Sequence, residues 1–102
     1  MYDLECRFDS RQSFYGKAKV EVKQTTGEHG ETILKDLYSY GTLVAKALYS
    51  YIDGVEKTNY VCMGKYSQTT TRQQKEFFKQ QGLSDKEIKE LFKNGELVKG
   101  ML

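Results

Sequence analysis

The stretch FYGKAKVEVK, residues 14–23, decides the class of fold. Successive side chains of a β-strand point to opposite faces, so a strand with one dry face alternates apolar and polar residues. The apolar and small positions of this stretch are Phe14, Gly16, Ala18, Val20 and Val22. The positions between them include Lys17, Lys19, Glu21 and Lys23. We therefore predict a strand with one face on a core and the other in water.

The segment before this strand alternates in the same way. Leu4, Cys6 and Phe8 are separated by charged residues, and a polar break at residues 10–13 precedes Phe14. Two alternating segments joined by a short polar break are typical of a β-hairpin. We expect Leu4, Cys6 and Phe8 to face the core.

Further strands follow toward the C terminus. Residues 32–40 and 42–51 predict strands on either side of Gly41, and residues 59–66 predict a fifth strand after a turn that opens at Asp53. Short strands with short connections favour antiparallel pairing, because parallel strands need long crossovers. The sequence thus predicts an antiparallel sheet of about five strands.

The periodicity becomes helical from Thr69 onward. Thr70 and Thr71 each have Gln three residues later, which is a capping-box pattern, and Gly82 is suited to the end of this first helix. Ser84 with Glu87 predicts the start of a second helix, which we expect to end at Gly95.

These elements predict one α+β domain over residues 1–102. The antiparallel sheet occupies residues 1–67, and a helical part in residues 68–102 packs two helices on its apolar face. We expect the opposite face of the sheet to be charged and exposed to water.

The composition is that of a well-solvated globular domain. Hydrophobic residues make up 38% of the chain, charged residues 29%, and the formal charge is +2. That excess lies in residues 72–102 and is far smaller than a dedicated nucleic-acid-binding protein carries. Because no apolar run approaches the length of a membrane span and the amino end has no secretory-signal pattern, we expect a cytoplasmic protein with no membrane partner.

Catalytic and metal-binding chemistry has little support in the sequence. His29 is the single histidine and lies in a predicted turn, whereas general acid–base catalysis needs a side chain held in a pocket. Cys6 and Cys62 belong to no CxxC pair, and we interpret both as buried thiols. We expect no enzyme activity, no metal site and no cofactor.

Tyrosine is frequent in this chain, with eight residues. Tyr38 with Tyr40, and Tyr49 with Tyr51, each place two rings on one face of a predicted strand. A tyrosine ring with its polar tip suits a protein interface or base stacking. Two interpretations remain open: the rings form a binding surface, or they fill the core with their hydroxyls reaching water.

Cations on two elements add to this candidate surface. Arg72, Lys75 and Lys79 recur at i, i+3 and i+7, so they line one face of the first helix. They either contact a phosphate or an acidic partner, or they form an ordinary solvated face. The hairpin adds basic residues on its outer side. The candidate binding residues are Arg11, Tyr15, Lys17, Tyr38, Tyr40, Arg72, Lys75 and Lys79.

Three segments together resemble a known family: FDSRQSFYGKAKV at residues 8–20, LYSYGTLVAKA at 37–47 and YSQTTTRQQKEFFKQQGL at 66–83. The family consists of short proteins from Gram-positive bacteria, their phages and plasmids, with elements SRxSFYGKA, LYSYxTxVA and YSxTTxRHxxEFLxQxG. Gln73 stands where that pattern has His, and the helix after Ser84 is an addition to it. The family has no established activity, so the resemblance implies a mobile-element setting rather than a reaction.

These features lead to one main hypothesis and two others. The main hypothesis is a non-catalytic binding protein of a mobile element that inhibits a host defence nucleoprotein, as anti-CRISPR proteins do, with a CRISPR effector nuclease as its partner. The alternative is direct nucleic-acid binding through the basic hairpin and helix faces. The third is self-association through the exposed edge of the sheet.

Overall fold

The computed structural model describes residues 1–9, 14, 16–64 and 66–100. Within these residues the chain forms the strands and helices β1 (Tyr2–Asp3), β2 (Ala18–Gly27), β3 (Gly30–Ser39), β4 (Thr42–Ile52), β5 (Val55–Cys62), α1 (Gln68–Gln80), α2 (Asp85–Asn94) and β6 (Glu96–Gly100). The strands form an antiparallel sheet in the order β1-β2-β3-β4-β5-β6. The predicted α+β fold, an antiparallel sheet followed by helices near the C terminus, is confirmed.

Tight turns join the central strands. Tyr40 and Gly41 connect β3 to β4, and Asp53 and Gly54 connect β4 to β5. All four residues have positive φ, between 51° and 82°. Two consecutive left-handed residues are the pattern of a type I′ turn, whose twist matches that of the strands it joins. The turn predicted at Asp53 is confirmed.

The core lies between the sheet and the helices. Val20 and Leu37 are cross-strand neighbours on the helix-facing side of the sheet, and both are fully buried. Phe77 and Phe78 of α1 are also fully buried, and their ring centroids lie 5.4 Å apart in an edge-on arrangement. The core also contains the predicted residues Leu4, Phe14 and Ala18.

Helix α2 begins and ends as predicted. The Glu87 backbone N–H donates to Ser84 Oγ at 3.2 Å, and the Ser84 backbone N–H donates to Glu87 Oε1 at 2.9 Å. This capping box satisfies N–H groups that the start of a helix leaves without partners. Gly95 ends the helix in the left-handed conformation, with φ at 83°.

The capping box predicts a pH dependence of stability. Lys99 of β6 donates to Glu87 Oε2 at 2.7 Å, and this contact together with the Ser84 N–H lowers the pKa of Glu87 from 4.5 to about 2. A carboxyl group whose pKa is lowered by folding stabilises the fold above its unfolded pKa, and this stabilisation disappears as the pH falls through the folded pKa. We therefore expect Glu87→Gln to be less stable than the parent at pH 6, and the difference to shrink between about pH 4.5 and pH 2.

Urea unfolding of both proteins at several pH values measures this difference. A gap that stays constant down to pH 2 would show that the Glu87 charge does not contribute to stability. Glu90→Gln is the control, because Glu90 is an exposed residue of the same helix.

Helix α1 begins before the predicted caps. Ser67 is the N-cap, and its Oγ accepts a hydrogen bond from the Thr70 N–H at 3.2 Å. Thr70 is buried, and its hydroxyl lies 3.0 Å from the Ser39 hydroxyl on β3. The prediction of Thr70 or Thr71 as the cap was wrong because serine caps at least as well, and because Thr70 contacts the sheet instead.

The predicted pairing of the N-terminal segment with β2 is confirmed only for β1, because the segment after β1 leaves the sheet. The backbone N–H groups of Arg7, Phe8 and Asp9 all donate to Glu76 Oε1, at 3.0, 2.8 and 2.8 Å. We call this contact of the N-terminal loop with α1 the Glu76 anchor. Because the loop curls around the carboxylate, Phe8 is 59% exposed and does not face the core as predicted.

The last two strands also differ from the prediction. β5 begins directly after the turn at Gly54, whereas residues 59–66 were expected to form it. β6 was not predicted as a strand. It pairs with β5, Leu97 packs on the core, and Val98 is 48% exposed. A five-residue segment carries too little alternation to be recognised without its partner strand.

The sheet face away from the helices, here called the open face, is less polar than predicted. Leu34, Leu48 and Val61 lie on it and are only partly exposed. Asp36 lies there too and is 5% exposed, and its Oδ1 accepts no hydrogen bond from any described residue. Contacts between long side chains on adjacent strands therefore exclude water from the centre of the open face.

Candidate functional site

A cluster of lysine and tyrosine side chains lies at one end of the open face. Lys19 and Tyr38 are direct cross-strand neighbours, and the Tyr40 N–H donates to the Lys17 carbonyl at 2.8 Å. Lys17, Lys19, Tyr38 and Tyr40 line a shallow cavity of about 560 Å³. We call these four residues the lysine–tyrosine patch. It brings together three of the predicted binding residues and adds Lys19.

Tyr40 occupies a costly position in this patch. It is 61% exposed and has φ at 51°, as the first residue of the type I′ turn. The left-handed region disfavours residues with a large side chain, and Asn, Asp or Gly is preferred there. The equivalent position of the next turn is Asp53, which follows this preference. Unusual backbone conformations concentrate at functional sites, so Tyr40 is a candidate contact residue.

The electrostatic field of the patch is nearly balanced. Lys19 forms an ion pair with Asp3 at 2.6 Å, and Lys23 forms one with Glu21 at 3.2 Å. The hydrogen bond and charge of Glu21 raise the pKa of Lys23. Asp36 lies further along the open face with Lys46 of β4 as its direct partner, so acidic and basic side chains alternate around the patch. Such a surface suits a mixed polar interface better than a polyanion.

A second candidate surface is the groove between the helices. Its cavity of about 500 Å³ is lined by two apolar side chains from α2 and by lysines from both helices. The helix cation Lys79 forms an ion pair with Asp85 at 3.2 Å. The residues that line the groove are Thr71, Lys75, Lys79, Asp85, Ile88, Lys89 and Phe92. We call it the helix groove.

The remaining predicted residues lie elsewhere. Arg11 and Tyr15 are outside the described residues. Arg72 is partly exposed on α1 and, unlike Lys75 and Lys79, does not line the helix groove. Lys89 and Phe92 were missed because the groove exists only where α1 and α2 meet, and no sequence pattern relates residues on two helices.

The tyrosine pairs divide between core and surface. Tyr49 is half-buried, and its hydroxyl donates to Gln81 Oε1 at 2.5 Å. Burial raises the pKa of Tyr49, so this hydroxyl stays protonated and acts as a donor. Tyr51 is 56% exposed on the same side of the sheet. Tyr49 therefore fits the interpretation as a core residue, and Tyr51 fits the interpretation as a surface residue.

His29 and Cys62 lie where the sequence predicts, whereas Cys6, predicted as a buried thiol, is only partly buried because it packs at the margin of the core. His29 lies in the exposed turn between β2 and β3, with Nδ1 at 3.1 Å from Asp53 Oδ1. Cys62 is buried, and burial raises the pKa of its thiol. Among the described residues, no group of His, Cys, Asp or Glu side chains is arranged to hold a metal ion. No helix in the described ranges has the length and apolar character needed to cross a membrane.

The fold and these surfaces define a small α+β protein with an antiparallel sheet and helices on one of its faces. The chain belongs to a protein family of unknown function, DUF8033, whose model matches residues 2–94. That match includes the lysine–tyrosine patch and both sides of the helix groove. No curated protein and no solved structure matches the chain significantly.

Proposed function

We propose that this protein acts by binding rather than by catalysis, and that it inhibits a defence nucleoprotein in the cytoplasm of a bacterial host, as anti-CRISPR proteins do. The lysine–tyrosine patch is the surface assigned to this contact. The mobile-element setting implied by the resemblance supports the class of target, with a CRISPR effector nuclease as the first candidate.

The observation that carries the binding surface is the conformation of Tyr40. The Tyr40 ring is exposed at a turn position whose left-handed backbone conformation is less strained with Asn. It lies beside the ring of Tyr38 and the ammonium groups of Lys17 and Lys19. Tyrosine is enriched among the residues that dominate interface energies, because it buries a large rigid area and still makes a hydrogen bond.

The charge balance favours a protein surface as the direct contact. A nucleic-acid site needs cations free to neutralise phosphates, whereas Lys19 and Lys23 are paired with Asp3 and Glu21. A folded protein surface can match such a pattern of alternating charges. The protein component of the nucleoprotein is therefore the expected partner of the patch.

Direct nucleic-acid binding is the second candidate function, and the helix groove supports it. Lys75 and Lys89 line the groove and form no ion pair with any other described residue, whereas Lys79 is paired with Asp85. A gel-shift assay with single- and double-stranded DNA and RNA at low salt tests this function. Retention that weakens steeply with salt and is reduced in Lys75→Gln/Lys89→Gln would favour it over the patch.

We expect Tyr40→Asn to separate stability from binding. Asn relieves the left-handed strain, so the free energy of unfolding should rise by about 0.5–1 kcal/mol. Loss of a central tyrosine should weaken partner binding by about 30-fold, the equivalent of about 2 kcal/mol. The measurements are urea unfolding and inhibition of target-DNA cleavage by purified CRISPR effector complexes.

Asp53→Asn is the matched control, since it changes the equivalent position of the other type I′ turn. It should leave inhibition unchanged. If the parent protein neither binds an effector complex nor protects DNA from it, the anti-CRISPR proposal is wrong. If it does both and Tyr40→Asn inhibits as well as the parent, the patch is not the contact surface.

A further inference from the structure

The helix-facing side of the sheet continues beyond the end of α1. Gln81, just after α1, receives hydrogen bonds from Tyr49 at 2.5 Å and from Lys35 at 3.4 Å. Past this point the same side of the sheet becomes exposed: Tyr51 is 56% exposed, and Thr26 and Glu31 in the same row are exposed as well. The end of the sheet formed by the turns at His29 and Asp53 therefore extends past the helical layer. We call the helix-facing side of this end the ledge.

Tyr51 lies at the centre of this ledge between two carboxylates. In the sheet register Glu31 of β3 and Glu56 of β5 are its direct partners on either side. Directly paired residues of adjacent strands project to the same face, with Cβ atoms about 5 Å apart. Ile33 and Tyr49 form the next row of the same face, toward α1. We call Glu31, Tyr51 and Glu56 the acidic tyrosine site.

Charge at this end of the sheet is predominantly negative. Glu28 and Asp53 lie in the two turns that border the ledge. One cation, Lys57, lines the same cavity as Glu31, Tyr51 and Glu56. Two other cations on this side are engaged with other groups: Lys35 lies over the Tyr49 ring at 5.5 Å, and Lys99 pairs with Glu87 at 2.7 Å. Glu31 accepts a hydrogen bond from Gln24 at 3.1 Å, and Glu56 forms no ion pair with any other described residue.

We propose that the acidic tyrosine site binds an arginine or lysine side chain from a basic segment of a protein partner. An aromatic face attracts a cation through its quadrupole, and flanking carboxylates add direct charge attraction and hydrogen-bond acceptors. Ile33 and Tyr49, next to the site, provide apolar surface for the aliphatic stem of the incoming side chain. A nucleic acid is disfavoured here, because its phosphates would face Glu31 and Glu56.

This site is distinct from the lysine–tyrosine patch. It lies on the helix-facing side and at the opposite end of β3 and β4, since Tyr38 and Glu31 are at opposite ends of β3. Its charge also differs: carboxylates flank the ring of Tyr51, whereas basic and acidic side chains alternate around the lysine–tyrosine patch. Binding at the acidic tyrosine site therefore goes beyond the function proposed for the lysine–tyrosine patch, and a negative result for one surface does not affect the other.

Titration with short synthetic peptides tests the site. The probes are an arginine-rich and a lysine-rich peptide, with a glutamate-rich peptide for comparison, followed by backbone amide chemical shifts. We expect shifts centred on Glu31, Tyr51 and Glu56 with the basic peptides only. The charge-neutral variant Glu31→Gln/Glu56→Gln should bind about tenfold more weakly, while the control Glu90→Gln/Glu96→Gln, with the same change of net charge, should bind like the parent.

The contribution of the Tyr51 ring needs a separate variant. Long-range electrostatic attraction of a basic peptide would also weaken when the two glutamates are neutralised, whether or not the ring makes contact. Tyr51→Thr keeps a residue suited to a strand and removes the ring, and we expect it to weaken binding about three- to fivefold. Tyr51→Phe should bind like the parent. Equal loss in both charge variants, or full binding by Tyr51→Thr, would overturn the site. Thermal unfolding of each variant verifies that it is folded.

Discussion

Replacing Glu76 with alanine is expected to lower the free energy of unfolding by about 3 kcal/mol. Glu76 is 2% exposed, and its carboxylate accepts backbone hydrogen bonds from Arg7, Phe8 and Asp9. Hydrogen bonds to a charged group each contribute about 1.5–3 kcal/mol, and their loss leaves donors without partners. The expected loss of about 3 kcal/mol is smaller than the sum of the three hydrogen-bond contributions. The loop lies near the surface, so water can form hydrogen bonds with some of the released N–H groups.

Glu76→Gln is the matched variant, since it keeps one oxygen acceptor and nearly the same shape. It should cost roughly 1–2 kcal/mol, because the bonds to a neutral acceptor are weaker. Urea unfolding measures both variants, and amide hydrogen exchange of residues 7–9 shows whether the loop is released. A Glu76→Ala protein as stable as the parent would mean that the Glu76 anchor does not hold the N-terminal loop.

Replacing Phe78 with alanine is expected to cost about 3–5 kcal/mol, the largest effect of any substitution considered for this protein. The ring is fully buried and packs edge-on against Phe77 at 5.4 Å and against Phe92 at 6.4 Å between centroids. Removing it leaves a cavity that the surrounding sheet and helices fill only in part. A domain of this size has a total stability of about 5–15 kcal/mol, so the variant should be close to unfolding at 37 °C.

Phe92→Ala is the comparison, because Phe92 is on α2 at the edge of the same cluster and is partly exposed. Its expected cost is about half that of Phe78→Ala, since less apolar surface returns to water. Equal costs for the two variants would show that α2 is as central to the core as α1.

Local patterns in the sequence predicted most of the fold. The alternation around Ala18 and Val20 placed their side chains in the core, and Ser84 with Glu87 placed the start of α2. These predictions succeeded because each depends on residues close in sequence: the strand period is two residues, and a capping box spans one helical turn. The turn at Asp53 succeeded for the same reason.

The candidate surfaces were predicted only as separate fragments. Lys17, Tyr38 and Tyr40 were each identified, and β-pairing brought them together with Lys19. Arg72 was grouped with Lys75 and Lys79 by helical spacing, yet the groove includes Lys89 of α2 instead. Helical spacing describes one helix at a time, whereas a groove depends on how two helices pack.

The sequence by itself determined the class of fold, the burial of Ala18 and Val20 on one face of β2, and the limits of α2. The tertiary structure alone decided that the N-terminal loop leaves the sheet for Glu76, that the final segment becomes β6, and that Tyr51 lies between Glu31 and Glu56. The physical reason is separation along the chain. Periodicity and capping act over a few residues, while these contacts join distant segments whose meeting depends on the packing of the whole domain.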